Sequence, residues 1–367
     1  MIFLFAGGGT LGPVTPLLAV AEALKKMEKD VKFYWVGTPG GPERELVESK
    51  GFIFYGLPVA KMPRYLSAEL FRFPLAYWQA KQRAKKILQE IKPDAVVTVG
   101  GFTAVPIVSV AAAAGIPCFT HQLDLVPGLA NKRIAKWCAS VTTSFEYERP
   151  PFGDRVFDER ISTPTRFSIN QLLTKAKAAH VLGLDPSKSI VWIWGGGTGA
   201  QGLNEMVERT LGKWLEFTQV IHLTGQGKGM KKEGRGYVQK AFFKDEMLDA
   251  YAAADLIICR AGVGSLSEMA ALKKAFILVP MPDSHQEANA QAFEERGAAV
   301  VMSQKKKAFD EELLESAKLL LEDAQERKAM GERANIFFPT DDGRTLAQRI
   351  LLCLKQEGKI LPKRRTV

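Results

Sequence analysis

The sequence predicts an α/β protein of two Rossmann-like, doubly wound domains facing each other across a cleft. Three observations predict it. Short apolar runs alternate with helical patterns along the whole chain, which implies parallel sheets with helices on both faces. At 367 residues the chain exceeds one ordinary core and suits two domains of about 150–200 residues each. A strand, a glycine turn and a helix open each half, as IFLFAGGGTLGPVTPLLAVAEAL and again as SIVWIWGGGTGAQGLNEMVERTL.

Taken in order, IFLFA, VKFYWVG, FIFYGL, DAVVTVG, PCFTHQ and SVTTSF read as short buried strands of the first half. LLAVAEALKKMEK and LAYWQAKQRAKKILQEI are helical patterns among them. In the second half SIVWIW, QVIHLTG, DLIICRAG, FILVPMP and AAVVMS are the strands. Pro164 and the turn residues around it in RISTPTRF interrupt the pattern, so a first domain is expected over 1–162 and a second over 163–340. The last helix, 341–360, is entered through Asp341–Gly343 and is expected to pack back on the first domain. Ligands of open parallel sheets bind beyond the carboxyl ends of the strands, so both glycine loops are expected on the cleft.

Hydrophobic residues make up 46% and charged residues 25%, the balance of a globular protein rather than a disordered one. Cys118, Cys138, Cys259 and Cys353 form no close pair, which argues against a disulfide framework or a zinc site and for a reducing cytoplasm. The opening apolar run has no basic stretch before it and leads straight into glycines, so no secretory signal is expected. The longest apolar stretch, AVPIVSVAAAAGIPCF, is broken by Pro106, Gly115 and Pro117 and falls short of the roughly 18 residues of a membrane span. The net charge is +10, and Lys61 to Lys92 hold eight Lys/Arg against two acids, more than half of that excess. Such a surface suits nucleic acid, an anionic membrane face or a polyanionic substrate.

Gly7 to Gly12 satisfies the dinucleotide pattern G-x-G-x-x-G. However, VKFYWVG ends in Gly37–Thr38, where a ribose-binding acid would be required, so NAD or FAD is disfavoured. The remaining content is an anion site, because small residues let amides and a helix N-terminus approach a phosphate. GGGTGAQGLN repeats the logic, with Thr198 and Asn204 as polar groups. In CRAGVGSLSEMAA, Gly262 and Gly264 free the backbone, Ser265 opens a helix and Glu268 follows on its first turn. Two readings stand side by side here: a diphosphate at the helix N-terminus with Glu268 on the ribose hydroxyls, or a local S-x-x-E capping box.

AGGGTLGPVTPLLAVAEAL, VGGFTAVPI, THQLDLVPGLANK, WGGGTGAQGLN, CRAGVGSLSE and HQEANA occur in an order and spacing that cover essentially the full chain. On these motifs the chain resembles the MurG family of bacterial N-acetylglucosaminyltransferases. The resemblance implies the GT-B fold and inverting transfer of GlcNAc from UDP-GlcNAc to the C4 hydroxyl of the MurNAc of lipid I (undecaprenyl-pyrophosphoryl-MurNAc-peptide). It implies lipid II as the product, for peptidoglycan synthesis, with no metal or other cofactor. It assigns the donor mainly to the second domain, with Glu268 on the ribose. Gly262, Val263, Gly264 and Ser265 form the diphosphate turn, and Gly196, Gly197, Thr198, Gly199 and Asn204 the second glycine loop. Phe243, Lys244 and Met247 mark the uracil-reading stretch, and Arg166 stands at the arginine of an Asn-Pro-x-Arg motif whose Asn is here Thr163. His285 and Gln286 replace the paired Gln residues that read the sugar, with Asn289 nearby.

The acceptor would lie on Gly8, Gly9, Thr10, Leu11, Gly12 and Pro13 together with Gly100, Gly101 and Asn131. Here the chain departs from the family. The loop's His is Pro13, and His-Glu-Gln-Asn becomes His121, Gln122, Leu123 and Asp124. Asp124, beside His121, is therefore expected as the general base, with a turn-capping role as the alternative. His121 is expected beside it as the second catalytic residue, one that orients the loop rather than takes the proton.

The basic stretch fits a lipid-linked substrate. Phe71, Phe73, Tyr77 and Trp78 interleave with Arg72, Lys81 and Arg83, the composition of an interfacial helix that meets anionic headgroups. The alternative is a helix packed on its domain with solvated cations. A peripheral location on the inner face of the cell membrane is expected, and no nucleic-acid motif is present. Other functions weighed are a transferase with another lipid acceptor, a UDP-GlcNAc 2-epimerase and an inactive lipid-binding scaffold.

Overall fold

A computed structural model describes residues 1–9, 12–59, 68–154, 156, 158–197, 199–243 and 246–360, with backbone alone at 68–72 and 357–360. The chain forms two units, one of Met1–Arg166 with Asp341–Val367 and one of Phe167–Thr340.

The strands of the first unit's sheet are β1 (Ile2–Ala6), β2 (Lys32–Gly37), β3 (Ile53–Gly56), β4 (Ala95–Thr98), β5 (Cys118–Gln122), β6 (Ser140–Thr143) and β7 (Asp158–Arg160). All pair in parallel, in the order β3-β2-β1-β4-β5-β6-β7. The helices α1 (Val14–Met27), α2 (Glu43–Ser49), α3 (Ala68–Ile91), α4 (Ala104–Ala113) and α5 (Leu129–Ala135) cross between strands. Both sheet faces are covered, so the strands read as unbroken apolar runs rather than alternating ones. Leu4, Ala6, Val36 and Val96 pack with Ile87, Leu88, Ile107 and Ile134 on one face. On the other, Phe5 stacks on Trp35 at 5.9 Å, and Phe52 meets both rings edge-on.

After β8 (Thr163–Pro164), the second unit repeats the plan with β9 (Ile190–Trp194), β10 (Gln219–Leu223), β11 (Tyr237–Lys240), β12 (Leu256–Cys259), β13 (Phe276–Leu278) and β14 (Val300–Val301). These too are parallel, in the order β11-β10-β9-β12-β13-β14. Its helices are α6 (Lys175–Val181), α7 (Gln201–Leu215), α8 (Met247–Ala253), α9 (Val263–Ala271), α10 (His285–Glu294), α11 (Phe309–Glu322) and α12 (Ala324–Phe337). Val191, Ile193, Leu203, Val207, Ile258 and Ile277 form its centre. The chain then returns to the first unit. Thr165 N–H donates to the Asp341 carbonyl (2.8 Å), and α13 (Arg344–Ile360) lies against α1, with Lys355 paired to Glu28.

In each sheet the strand order reverses at the first strand, between β1 and β4 and between β9 and β12. Helices leave such a reversal on opposite faces, which opens a crevice at the carboxyl ends of the strands. The loops after β1, β4, β9 and β12 are the four that carry the glycine motifs. The fold thus places the sequence's chemistry at both switch points.

Candidate active site

In the first unit the site stands on the loops after β1, β4 and β5. Gly7 is tied twice: its N–H donates to the Val36 carbonyl (3.1 Å), and its carbonyl accepts the Trp35 indole N–H (2.7 Å). Thr98 Oγ1 donates to the Ala6 carbonyl (2.6 Å) and accepts the Gly100 N–H (2.8 Å). Gly100 and Gly101 then turn the chain with φ near +95° and +94°. Asn131, in α5, stitches these loops together. Its Oδ1 accepts the Gly101 N–H (3.0 Å), while Nδ2 donates to Gln122 Oε1 (2.6 Å) and the Val99 carbonyl (3.4 Å). Gln122 Nε2 donates in turn to the Asp124 carbonyl (2.6 Å), which also accepts the Tyr147 hydroxyl (3.2 Å). Asp124 is half-buried at the end of this chain of contacts. Burial, and then the carboxylates of Asp158 and Asp124, raise the Tyr147 hydroxyl well above its usual range, so it remains a neutral donor. At the start of α1, Pro13 and Pro16 carry no N–H, which leaves Val14 and Thr15 as first-turn amides. Asn131, expected on the acceptor, is half-buried, and its side chain fixes the shape of these loops.

In the second unit the loop after β9 is a tight turn. Gly196 and Gly199 have φ of +81° and +69°, and a Cβ at Gly199 would stand 2.1 Å from the Thr224 carbonyl oxygen. Only glycine fits there. Gly197 is exposed at the tip. After β12, α9 opens at Gly262, so Ser265 lies within the first turn and does not cap the helix. Glu268 is buried, and its Oε2 accepts the Tyr251 hydroxyl at 2.8 Å. The capping-box reading is thereby overturned. Val263 and Gly264 are left with first-turn amides that have no intrahelical partner. Gln286 Oε1 accepts the Met281 N–H (3.1 Å), and its Nε2 lies 3.9 Å from where a Gly262 Cβ would be. Asn289 Nδ2 donates to the Ala261 carbonyl (3.2 Å), and His285 is exposed at the first position of α10. Phe243 and Met247 are buried beside α8, and Arg166 is exposed. Thr10, Leu11, Thr198 and Lys244 lie outside the described residues, as do the side chains of Phe71 and Arg72.

Two further expectations are corrected. His121 cannot be a reacting group in this structure: it is fully buried, and its ring nitrogens meet Thr142 Oγ1 and Ser144 Oγ at 2.9 Å each. Burial lowers its pKa to about 3, so it is a neutral ring that ties β5 to β6. Asn204, expected in the donor loop, is buried and turned inward; its Nδ2 donates to the Thr224 carbonyl (2.9 Å) and its Oδ1 faces His222 Nε2 (3.1 Å). Burial holds His222 at about 4. Both imidazoles therefore bind protons more readily in the unfolded chain, whose histidines titrate near 6.5. Folded values below the unfolded one mean that stability is fully present above about pH 6.5 and is lost as pH falls toward the folded values. Between pH 7 and pH 5 the two groups are expected to remove about 4 kcal/mol in total. Urea melts at the two pH values check this, and His222→Gln should remove about half of the difference.

Several contributors carried no motif. Tyr251 orients Glu268 from another helix, and its ring packs edge-on against Trp192 (4.8 Å), which stacks on Trp194 (4.9 Å) beneath the glycine loop. Arg260 is buried and donates to the carbonyls of Val279 and Pro280 and to Gln304 Oε1, which anchors the turn after β13. Burial lowers the pKa of its guanidinium.

Two units, each with a reversed-order parallel sheet and glycine loops at the switch point, define the class as a GT-B glycosyltransferase. The glycosyltransferase family 28 N-terminal domain matches residues 3–143, and the family 28 C-terminal domain matches residues 190–343. A UDP-N-acetylglucosamine--N-acetylmuramyl-(pentapeptide) pyrophosphoryl-undecaprenol N-acetylglucosamine transferase of Nocardioides sp. is 33% identical over 361 residues, 96% of this chain and 98% of its own. The enzyme of the same name from Halothermothrix orenii is 34% identical over 360 residues, 90% of this chain and 95% of its own. The crystal structure of Acinetobacter baumannii MurG aligns with a TM-score of 0.71 at 25% identity, covering 96% of this chain and 99% of that one. The chain belongs to glycosyltransferase family 28 and, within it, to the MurG transferases.

Proposed function

We infer that the protein transfers GlcNAc from UDP-GlcNAc to the C4 hydroxyl of the MurNAc of lipid I and so produces lipid II. The observation that carries this reading is Glu268, a buried carboxylate aligned by Tyr251 one turn inside a helix whose first amides have no intrahelical partner. That pairing suits a nucleoside diphosphate: hydroxyl donors on the carboxylate, phosphate on the helix N-terminus. The named relatives, alike over nine-tenths of the chain, carry out this transfer, which favours it over an epimerase or scaffold.

In the reaction the acceptor O4 attacks the anomeric carbon of GlcNAc from the face opposite UDP. The new C1–O4 bond forms as the C1–O bond to the β-phosphate breaks, which inverts the anomeric centre. The O4 proton passes to the Asp124 carboxylate. Negative charge builds on the departing diphosphate, and the Val263 and Gly264 amides at the α9 N-terminus stabilise it.

The first unit would hold the acceptor and rest on the anionic inner face of the membrane. Among the described residues no helix is long and apolar enough to cross a membrane. On α3, Ala80, Ala84, Ile87 and Ile91 are buried, whereas Leu75 (61% exposed) and Trp78 (57%) stand out beside exposed Arg83, Lys85 and Lys86. Aliphatic and aromatic tips next to cations, each cation worth about 1 kcal/mol near an anionic surface, suit interfacial binding. The test is UDP release from UDP-GlcNAc with a short-chain lipid I analogue, alongside sedimentation with phosphatidylglycerol vesicles. Acceptor-dependent release and salt-sensitive sedimentation, weakened about tenfold in Trp78→Ser, are expected. UDP binding with no release on any lipid I analogue would point to another acceptor.

A further inference from the structure

Beneath the first glycine loop lies a carboxylate that this mechanism does not use. Glu43 opens α2, yet its side chain turns inward and is completely buried. Its Oε1 accepts two backbone amides from two loops: Thr38 N–H (2.7 Å) after β2, and Gly9 N–H (3.2 Å) after β1. Its Oε2 and the neighbouring Thr38 hydroxyl are buried and meet no hydrogen-bond partner among the described residues. The chain leaves room for this group on three sides. A Cβ at Gly8 would stand 2.1 Å from Oε1, one at Gly37 2.9 Å from the same oxygen, and one at Gly41 2.1 Å from Oε2.

A half-paired carboxylate in the interior weakens a fold, because one of its oxygens is buried without a partner. The arrangement is therefore not explained by stability. It is explained by shape. One oxygen shared between two loops draws the Gly9 N–H inward and holds Gly9 at φ +86°. The same carboxylate fills the carboxyl end of β2, where dinucleotide-binding folds place the ribose-reading acid. The crevice is thus closed on that side and left for the loop's outward face.

We propose that Glu43 is a positioning residue: by clasping the Gly9 and Thr38 amides it sets the first glycine loop in the form that receives the acceptor's pyrophosphate. This rests on the reading of the first unit as the acceptor domain. The variants are Glu43→Ala, Glu43→Gln and Gly41→Ala. Gly41 lies outside the loop at an ordinary φ, and a Cβ there displaces the carboxylate without changing it. Rates are measured with the lipid I analogue and UDP-GlcNAc varied in turn, together with amide exchange of the peptide 6–14. Glu43→Ala and Gly41→Ala should lower kcat/KM for the lipid about 10- to 100-fold, the scale of a loop misplaced by an ångström. The KM for UDP-GlcNAc should stay within about twofold, because uniform donor binding is untouched. Glu43→Gln should recover most activity, since its amide oxygen still accepts both N–H groups. Exchange over 6–14 should quicken about tenfold in Glu43→Ala.

Equal losses for both substrates that track a fall in Tm would reduce Glu43 to a structural role and overturn the proposal, as would unchanged lipid kinetics. If the wild type turns over no lipid I analogue, it is the acceptor reading that fails. Glu43 is then decided by inorganic pyrophosphate. Protection of peptide 6–14 in the wild type but not in Glu43→Ala supports the clasp, and equal protection, or none in either, refutes it.

Discussion

Glu268→Ala is expected to raise the KM for UDP-GlcNAc by roughly 30- to 1000-fold, the equivalent of about 2–4 kcal/mol for one or two hydrogen bonds to a charged acceptor. An ionised carboxylate only accepts, and Tyr251 supplies one donor to Oε2. Ribose hydroxyls are donors, so they suit the same carboxylate. The ribose is remote from the breaking bond, so the contact is equal in ground and transition states and its loss falls on KM rather than kcat. Tyr251→Phe keeps the carboxylate but frees its orientation; a donor KM roughly fivefold higher is expected, about 1 kcal/mol. Trp194, at the foot of the adjacent glycine loop, offers a fluorescence signal for direct UDP titration. The acceptor KM should not move in either variant. A donor KM unchanged in Glu268→Ala would remove Glu268 from the donor site.

What the sequence disclosed and what it hid divide along a physical line. Strands buried on both faces read as continuous apolar runs, so IVWIW and AVVT were legible as strands. By contrast β11, four residues at the sheet edge of which three are half-buried and Lys240 is exposed, has no such run. Glycine turns are legible because a positive φ or a close approach is required at that residue itself. Roles that depend on a distant partner are not. Glu43 meets an amide 34 positions away, and Tyr251 meets a carboxylate 17 positions away on another helix. The Ser265–Glu268 pair shows the trap in local motifs: the spacing is right for a capping box, but the helix begins at Gly262. Asn204 and His121 have the polarity of ligand-binding groups, and only their neighbours Thr224, His222, Thr142 and Ser144 reveal that their hydrogen bonds are taken up inside the fold. The glycine-rich run around Gly37 and Gly41 was the available hint of Glu43, since vacated space beside an acid needs a reason.

Asp124→Asn is expected to lower kcat about 10²- to 10⁴-fold, the range of a lost general base, with the KM for UDP-GlcNAc unchanged. The substitution isolates the proton transfer. The contacts from Gln122 and Tyr147 go to the Asp124 backbone carbonyl, so asparagine keeps that scaffold and the loop with it. Pro13 offers no group that could take over. His121 is sealed between Thr142 and Ser144 and is neutral across the working pH range, so it cannot replace the carboxylate without breaking β5 from β6. A turn-capping Asp124 behaves differently: asparagine caps turns as well as aspartate, so activity would be retained. The rate therefore separates a base from a cap, and full activity in Asp124→Asn would leave solvent water as the proton acceptor.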